Sequence, residues 1–226
     1  MEESIPVPQY LESTYWWAYA RPWAVRLFDR QSAVNGILLG NYNRLRDEAL
    51  AEFDAKTAAG RTLQVGCCYG NLSPYLAARL AKGGGTLDII DVLKVQLDNL
   101  PRKVPPSVGM SLMDAAALTI PDAQYDTVLI FLLLHEQPQA YRERTLQEAF
   151  RVLKPGGKLI IVDYGAPAWW HPARVTTLPL YRRLKPYSVE VWDRGLPAVL
   201  PRQMSGHSWR TTTYFGGLFQ KFVTIK

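Results

Sequence analysis

Between residues 61 and 162 the hydrophobic pattern switches repeatedly between short apolar runs and helical spacing. This alternation limits the possible folds more than any other feature of the chain. Residues 62–65, 86–90, 110–113, 128–134 and 158–162 read as five strands. Helical spacing falls between them. One helix is capped by Asn71 or Ser73 and ends near Gly83-Gly84-Gly85, one covers about 94–100, and one covers 141–153 before Lys154-Pro155-Gly156-Gly157. Strands that alternate with helices imply a doubly wound, mostly parallel sheet. Residues 128–134 are all apolar, as in a strand covered on both faces. Stretches 208–214 and 219–225 flank Phe215-Gly216-Gly217 and predict a C-terminal antiparallel hairpin. The expected class is therefore α/β, Rossmann-like.

The first 60 residues read as a helical extension and lid on a domain spanning 61–226. A cluster of aromatics, Tyr15-Trp16-Trp17 and Tyr19, precedes Pro22, which suits the first turn of a helix. Apolar residues from Ala24 to Leu50 then keep helical spacing, as one helix or as two broken near Gly36 or Gly40. Composition agrees with a soluble globular chain: 226 residues, 48% hydrophobic and 20% charged. The adjacent cysteines Cys67 and Cys68 supply neither a disulfide framework nor a zinc site, which fits a reducing compartment. The longest apolar run is far short of the roughly 20 residues of a membrane span. The start, MEESIPVPQY, has no signal-peptide core, so a cytoplasmic location is expected.

The net charge of +6 is unevenly placed. Residues 169–226 carry nine Lys/Arg against two Asp/Glu, whereas residues 1–168 are nearly balanced. The basic stretch also holds Trp169, Trp170, Tyr181, Tyr187, Trp192 and Trp209. A basic, aromatic surface suits an anionic membrane or nucleic acid, and it can also be a solvated face. Indole rings favour the headgroup level, so the membrane is the expected partner and nucleic acid is not. Within 169–205 the prolines 172, 179 and 186 exclude one long helix.

The first strand runs into Gly66-Cys67-Cys68-Tyr69-Gly70 and then a helix. In open α/β sheets this strand, turn and helix form a nucleotide-type site. Asp91-Val92, closing the second strand, places a carboxylate for ribose hydroxyls. Met113-Asp114-Ala115 and Arg151-Val152-Leu153-Lys154-Pro155-Gly156-Gly157 follow in order.

That order resembles the class I S-adenosylmethionine (SAM) methyltransferases, above all their quinone-biosynthesis branch, over residues 60–165. The resemblance implies SAM as cofactor and Asp114-Ala115 at the adenine. The family pattern is an acid, any residue, then Gly-x-Gly-x-Gly. Here Gln64 replaces the acid and Cys68 the middle glycine, while Gly66 and Gly70 remain. Both changes fall where the amino-acid end of the cofactor lies. Neutral drift in a methyltransferase is the plain alternative.

A second set of motifs sharpens the likeness: Tyr15-Trp16-Trp17-Ala18-Tyr19, Gly40-Asn41-Tyr42, Cys68-Tyr69-Gly70, Asp91-Val92-Leu93, Leu134-His135-Glu136-Gln137-Pro138 and Val162-Asp163-Tyr164. Together they resemble rhodoquinone-biosynthesis proteins of the RquA type over most of residues 10–200. The resemblance implies conversion of ubiquinone to rhodoquinone at the inner membrane. A ring methoxy group gives way to an amino group drawn from SAM, with manganese assisting. Loss of the acid at position 64 would favour the neutral form of the transferred amine.

His135-Glu136 and Asp163 follow strands four and five, on the edge where such sheets bind ligands. With His171 they are the candidate manganese ligands, since histidine and carboxylate suit that ion. Tyr69, His135 and Asp163 are the candidate catalytic residues. Packing is the plain reading of Tyr69, and a loop hydrogen bond that of His135. Two other functions stay open: an ordinary SAM methyltransferase acting on a quinone or lipid phenol, and a non-catalytic SAM- or RNA-binding module.

Overall fold

The computed structural model describes residues 5–19, 21–67, 69–195, 200, 201, 204 and 206–226. Its centre is a seven-stranded sheet: β1 (Arg61–Val65), β2 (Thr86–Asp91), β3 (Gly109–Leu112), β4 (Tyr125–Phe131), β5 (Leu153–Tyr164), β6 (Arg210–Tyr214) and β7 (Phe219–Ile225). The strand order is β3-β2-β1-β4-β5-β7-β6, with the first five parallel and β7 antiparallel to β5 and β6. The order reverses at β1, which opens a crevice at the carboxyl ends of β1, β2 and β4. This is the Rossmann-like methyltransferase fold with its C-terminal hairpin.

The helices used below are α1 (Pro22–Phe28), α2 (Gln31–Ile37), α3 (Tyr42–Leu50), α4 (Leu72–Gly83), α5 (Lys94–Asn99), α6 (Gln139–Val152), α7 (Ala173–Thr176), α8 (Leu178–Leu184) and α9 (Pro186–Arg194). One core lies between the sheet and α3, α4, α8 and α9, where Leu45, Leu76, Ile89, Leu129 and Trp192 are buried. The other lies under α6, where Val128, Ile130, Leu146 and Ile161 are buried. Val128, Leu129 and Ile130 have no exposed surface, as expected for a doubly covered strand. Each such side chain contributes roughly 1.5–3 kcal/mol of burial.

Several boundaries differ from the sequence reading. Strand β4 begins at Tyr125 and stops at Phe131 rather than covering 128–134, because Leu132 turns the chain at φ +53°. The N-terminal pattern forms three helices, with breaks at Asp29-Arg30 and at Leu38–Asn41. Gly40 takes φ +81° at the second break. Asn71 stands at the N-cap of α4, as the sequence allowed, but its side chain makes no capping hydrogen bond and accepts from Arg46 (2.8 Å). The Leu72 amide donates instead to the Tyr42 hydroxyl (2.9 Å), so α3 supplies the cap across 30 residues. Tyr181 and Trp192, read as surface aromatics, are buried. The prolines do divide the basic stretch into three short helices, and these pack onto the sheet. Among the described residues no helix is long and apolar enough to cross a membrane.

Candidate functional site

A cavity of about 480 Å³ opens at the carboxyl edge of the sheet. One end is walled by Gly66, Cys67, Tyr69, Asp91, Val92, Met113, Asp114 and Ala115. Gly66 holds φ +86° and Gly70 φ +82°. Any side chain at Gly70 would also collide with the Tyr42 ring, 2.6 Å from its Cβ position. Asp91 braces the turn: its carboxylate accepts the Cys67 amide (2.7 Å) and the Leu93 amide (2.8 Å). Burial, only partly offset by those amides, raises its pKa to about 6. Asp114 accepts the Ala116 amide (2.8 Å), which sets the bend after β3.

Gln64 and Gly70 are not among the described lining residues. Gln64 is fully buried, and its amide donates to the Gly66 carbonyl and to Ser73 Oγ, both at 2.9 Å. It therefore ties the glycine turn to α4. Cys68 lies outside the described residues. Tyr69 accepts a hydrogen bond from Gln96 (3.1 Å), and burial raises its pKa above the ordinary phenol value.

The other end is largely apolar, with Val34, Ile37, Leu38, Leu39, Phe131 and Leu184 in its wall. Tyr10, Leu11, Trp17 and Phe28 cover it from the N-terminal side. Tyr10 packs edge-on against Tyr141 at 5.0 Å, which binds this cover to α6. Asp29 anchors the cover below: it accepts from the Gly70 amide (2.9 Å), Asn99 (2.9 Å) and Lys103 (2.6 Å).

His135, on the short turn Leu134–Glu136 after β4, lies where the two ends meet. Its Nδ1 is 2.7 Å from Asp163 Oδ1. Asp163 has no exposed surface and also accepts the amides of Leu134 (2.8 Å), His135 (3.3 Å) and Tyr164 (2.7 Å). With Nδ1 donating to a carboxylate, the neutral ring carries its lone pair on Nε2, 3.5 Å from Glu136 Oε1. Burial opposes charge on His135, but Asp163 and Glu136 outweigh it and raise its pKa. Glu136 pairs with Lys185 at 3.0 Å. Burial likewise works against the Lys185 charge, and Glu136 again prevails, raising that pKa.

The expected manganese set is not assembled. His171 accepts the Ala173 amide at Nδ1 (3.1 Å) and packs against Phe215, off the cavity lining. Asp163 is committed to backbone amides and to His135. Among the described residues no group of three or more His, Cys, Asp or Glu is placed to hold a metal ion. The donor set does not fit the ion. Asp29 and Tyr42 carry no site role in the sequence reading, and Lys185 belongs there to the basic segment expected to face a membrane, whereas the structure sets it, largely buried, in the cavity wall. Their partners lie 30 to 74 residues away, so local spacing carried no sign of them.

The strand order is that of the Rossmann-like methyltransferase fold, and residues 62–157 match the family described as "Methyltransferase domain". The ubiquinone/menaquinone biosynthesis C-methyltransferase UbiE of Azotobacter vinelandii is 30% identical over 139 residues, covering 60% of this chain and 54% of that protein. The protein of that name from Ectopseudomonas mendocina is 31% identical over 138 residues, covering 59% and 53%. The chain thus spans about half the length of these curated relatives. Among solved structures, a SAM-dependent methyltransferase from Aquifex aeolicus superposes with a TM-score of 0.61 at 18% identity, covering 91% of this chain and 98% of that one. The N-methyltransferase NodS from Bradyrhizobium japonicum, in complex with S-adenosyl-L-homocysteine, gives 0.59 at 13% identity, covering 96% and 97%.

Proposed function

We propose that this protein transfers a group from SAM to the ring of a quinone, and that the transfer is the amination of ubiquinone to rhodoquinone. The observation that carries the reading is the single cavity that joins the Gly66, Asp91 and Asp114-Ala115 wall to a mostly apolar chamber, with His135 between them. SAM, when bound, supplies the transferred group. The residues that fit it are Asp91 for the ribose hydroxyls, Asp114-Ala115 and Val92 for the adenine, and the backbone at Gly66 for the amino-acid end. The apolar chamber suits a substituted quinone ring, and its N-terminal cover keeps water out.

His135 Nε2 is the proton acceptor. Attack of the donor amine on the ring carbon expels the methoxy group as methanol, so the amine must lose a proton and the departing methoxy oxygen must gain one. Asp163 holds the ring in the tautomer that can do both. The nitrogen then still carries its bond to the donor α-carbon, and the aminoquinone is released only when that bond breaks and the carbon fragment leaves with the donor. The motif set shared with the RquA type supports amino transfer. The named function of the curated relatives supports methyl transfer to ring carbon as the second reading.

Ile37, Leu39 and Leu184 line the cavity yet are 38–44% exposed, so they form its mouth. Arg182 and Arg183 on α8, Trp23 and Leu27 on α1 and Val175 on α7 are also exposed, and Trp169 and Trp170 stand exposed just before α7. An apolar, aromatic and basic rim suits an anionic bilayer, where a lipid-tailed quinone resides.

The direct test is turnover of a short-tailed ubiquinone with SAM. His135→Asn is expected to lose product formation by at least about a hundredfold while S-adenosylhomocysteine affinity persists. Undiminished turnover in that variant would overturn the assignment of the base.

A further inference from the structure

Among the described residues that line the cavity, Lys185 is the only lysine or arginine. It follows α8, where its amide donates to the Tyr181 carbonyl (2.7 Å) and fixes its stem. The side chain is only 16% exposed; Nζ donates to Glu136 Oε1 (3.0 Å) and lies 5.9 Å from the Tyr181 ring centroid. The groups around it are Glu136 and His135 on the turn after β4, Tyr181 on α8, and Asp163 and Tyr164 on β5. An ammonium has three donors, and Glu136 takes one. Imidazole, carboxylate and ammonium therefore stand in a row along the wall of a largely apolar chamber.

We propose that Lys185 binds the ring oxygen of the acceptor on which negative charge develops, with Glu136 as its counter-ion. The inference rests on reading the chamber as the acceptor site, and it holds for either transferred group. Attack of an amine nitrogen on a quinone ring carbon forms the C–N bond and moves a π electron pair onto the conjugated carbonyl oxygen. In methyl transfer to a ring carbon, His135 first takes the phenol proton and leaves the electron pair on the same kind of oxygen. A fixed ammonium in a water-poor chamber stabilises that charge far better than it would in bulk water. The positive charge expected from manganese is in this account carried by a side chain.

The probe is 4-nitrophenol bearing a short alkyl chain, whose phenolate is coloured, bound to the full-length protein saturated with S-adenosylhomocysteine. In the wild type the bound probe should ionise at lower pH than in water. Lys185→Met should raise that pH by about one unit, a tenfold change in the ionisation constant. Lys185→Arg should keep most of the wild-type effect, and Glu136→Gln should move ionisation lower still. Opposite shifts from the two partners are not produced by a loss of packing, and they remain readable between Lys185→Arg and Glu136→Gln if Lys185→Met fails to fold. The inference falls if Lys185→Met ionises the probe as the wild type does, or if the wild-type shift appears only once manganese is added. It also falls if the probe does not bind or is not displaced by short-tailed ubiquinone. Calorimetry with S-adenosylhomocysteine then shows separately whether the cofactor half of the proposed function stands.

Discussion

His135 is useful because of what surrounds it. Asp163 is locked by three backbone amides, so it can only orient and polarise the imidazole. Asp163→Asn should therefore lower kcat by about 10²–10⁴ with little change in cofactor affinity. The sign of the pH dependence follows from the raised His135 pKa. The base works when neutral, so the rate should climb with pH through a value above about 6.5. In Asp163→Asn that limb should move to lower pH, as a pH–rate profile would show. Asp91, proposed above as the ribose acceptor, acts in the same direction, on binding. With its pKa raised to about 6, it would lose its acceptor charge below that pH. S-adenosylhomocysteine affinity by calorimetry should fall as pH drops through 6, and Asp91→Asn should flatten the dependence. At this scale Asp91, Asp114 and His135 were legible, because each follows a strand that the apolar pattern located. Gln64 was legible as a departure, but its contact with Ser73 Oγ was not. A buried amide that bridges a turn to the next helix leaves no periodic trace.

Among the elements, the helices around the glycine turn depend on one another. Tyr42 on α3 caps α4 and also fills the space that a side chain at Gly70 would need. Tyr42→Phe removes the capping hydroxyl and should cost about 1 kcal/mol of stability, seen as a lower denaturation midpoint. Gly70→Ala combines a positive φ with a collision between the new Cβ and the Tyr42 ring and should cost more, about 1–3 kcal/mol. The apolar runs located all seven strands, although β5 begins at Leu153 and takes in Lys154-Pro155-Gly156-Gly157, which the sequence read as a turn. They overshot β4 because Leu132, Leu133 and Leu134 are apolar for another reason. Leu132 and Leu133 line the cavity, while Leu134 is buried beneath the turn that carries His135. Composition does not separate a strand residue from a wall residue of the same polarity. The prolines in α8 and α9 marked those helices as short, yet nothing local marked them as part of the core.

Across the whole molecule, the reversal of strand order at β1 places one crevice between the wall of Gly66, Asp91 and Asp114 and a largely apolar chamber. The N-terminal helices close that crevice from outside the sheet. The charge asymmetry was plain in the chain, but its meaning changed with the fold. Tyr181 and Trp192 went inward, while Trp169, Trp170, Arg182 and Arg183 stayed out. The protein should sediment with vesicles rich in anionic lipid and release them at high salt. Arg182→Ser with Arg183→Ser should weaken this by roughly 1 kcal/mol per charge. The central claim is that one cavity brings the amino end of SAM to a quinone ring. Two labelled samples of SAM, one carrying ¹⁵N in its amino group and one carrying ¹³C in its methyl group, test it directly when the quinone product is weighed by mass spectrometry. The account predicts an aminoquinone that carries the nitrogen label and no methyl label. Methyl label on the ring would contradict it and identify ordinary methyl transfer, and a quinone with neither label would contradict the choice of acceptor.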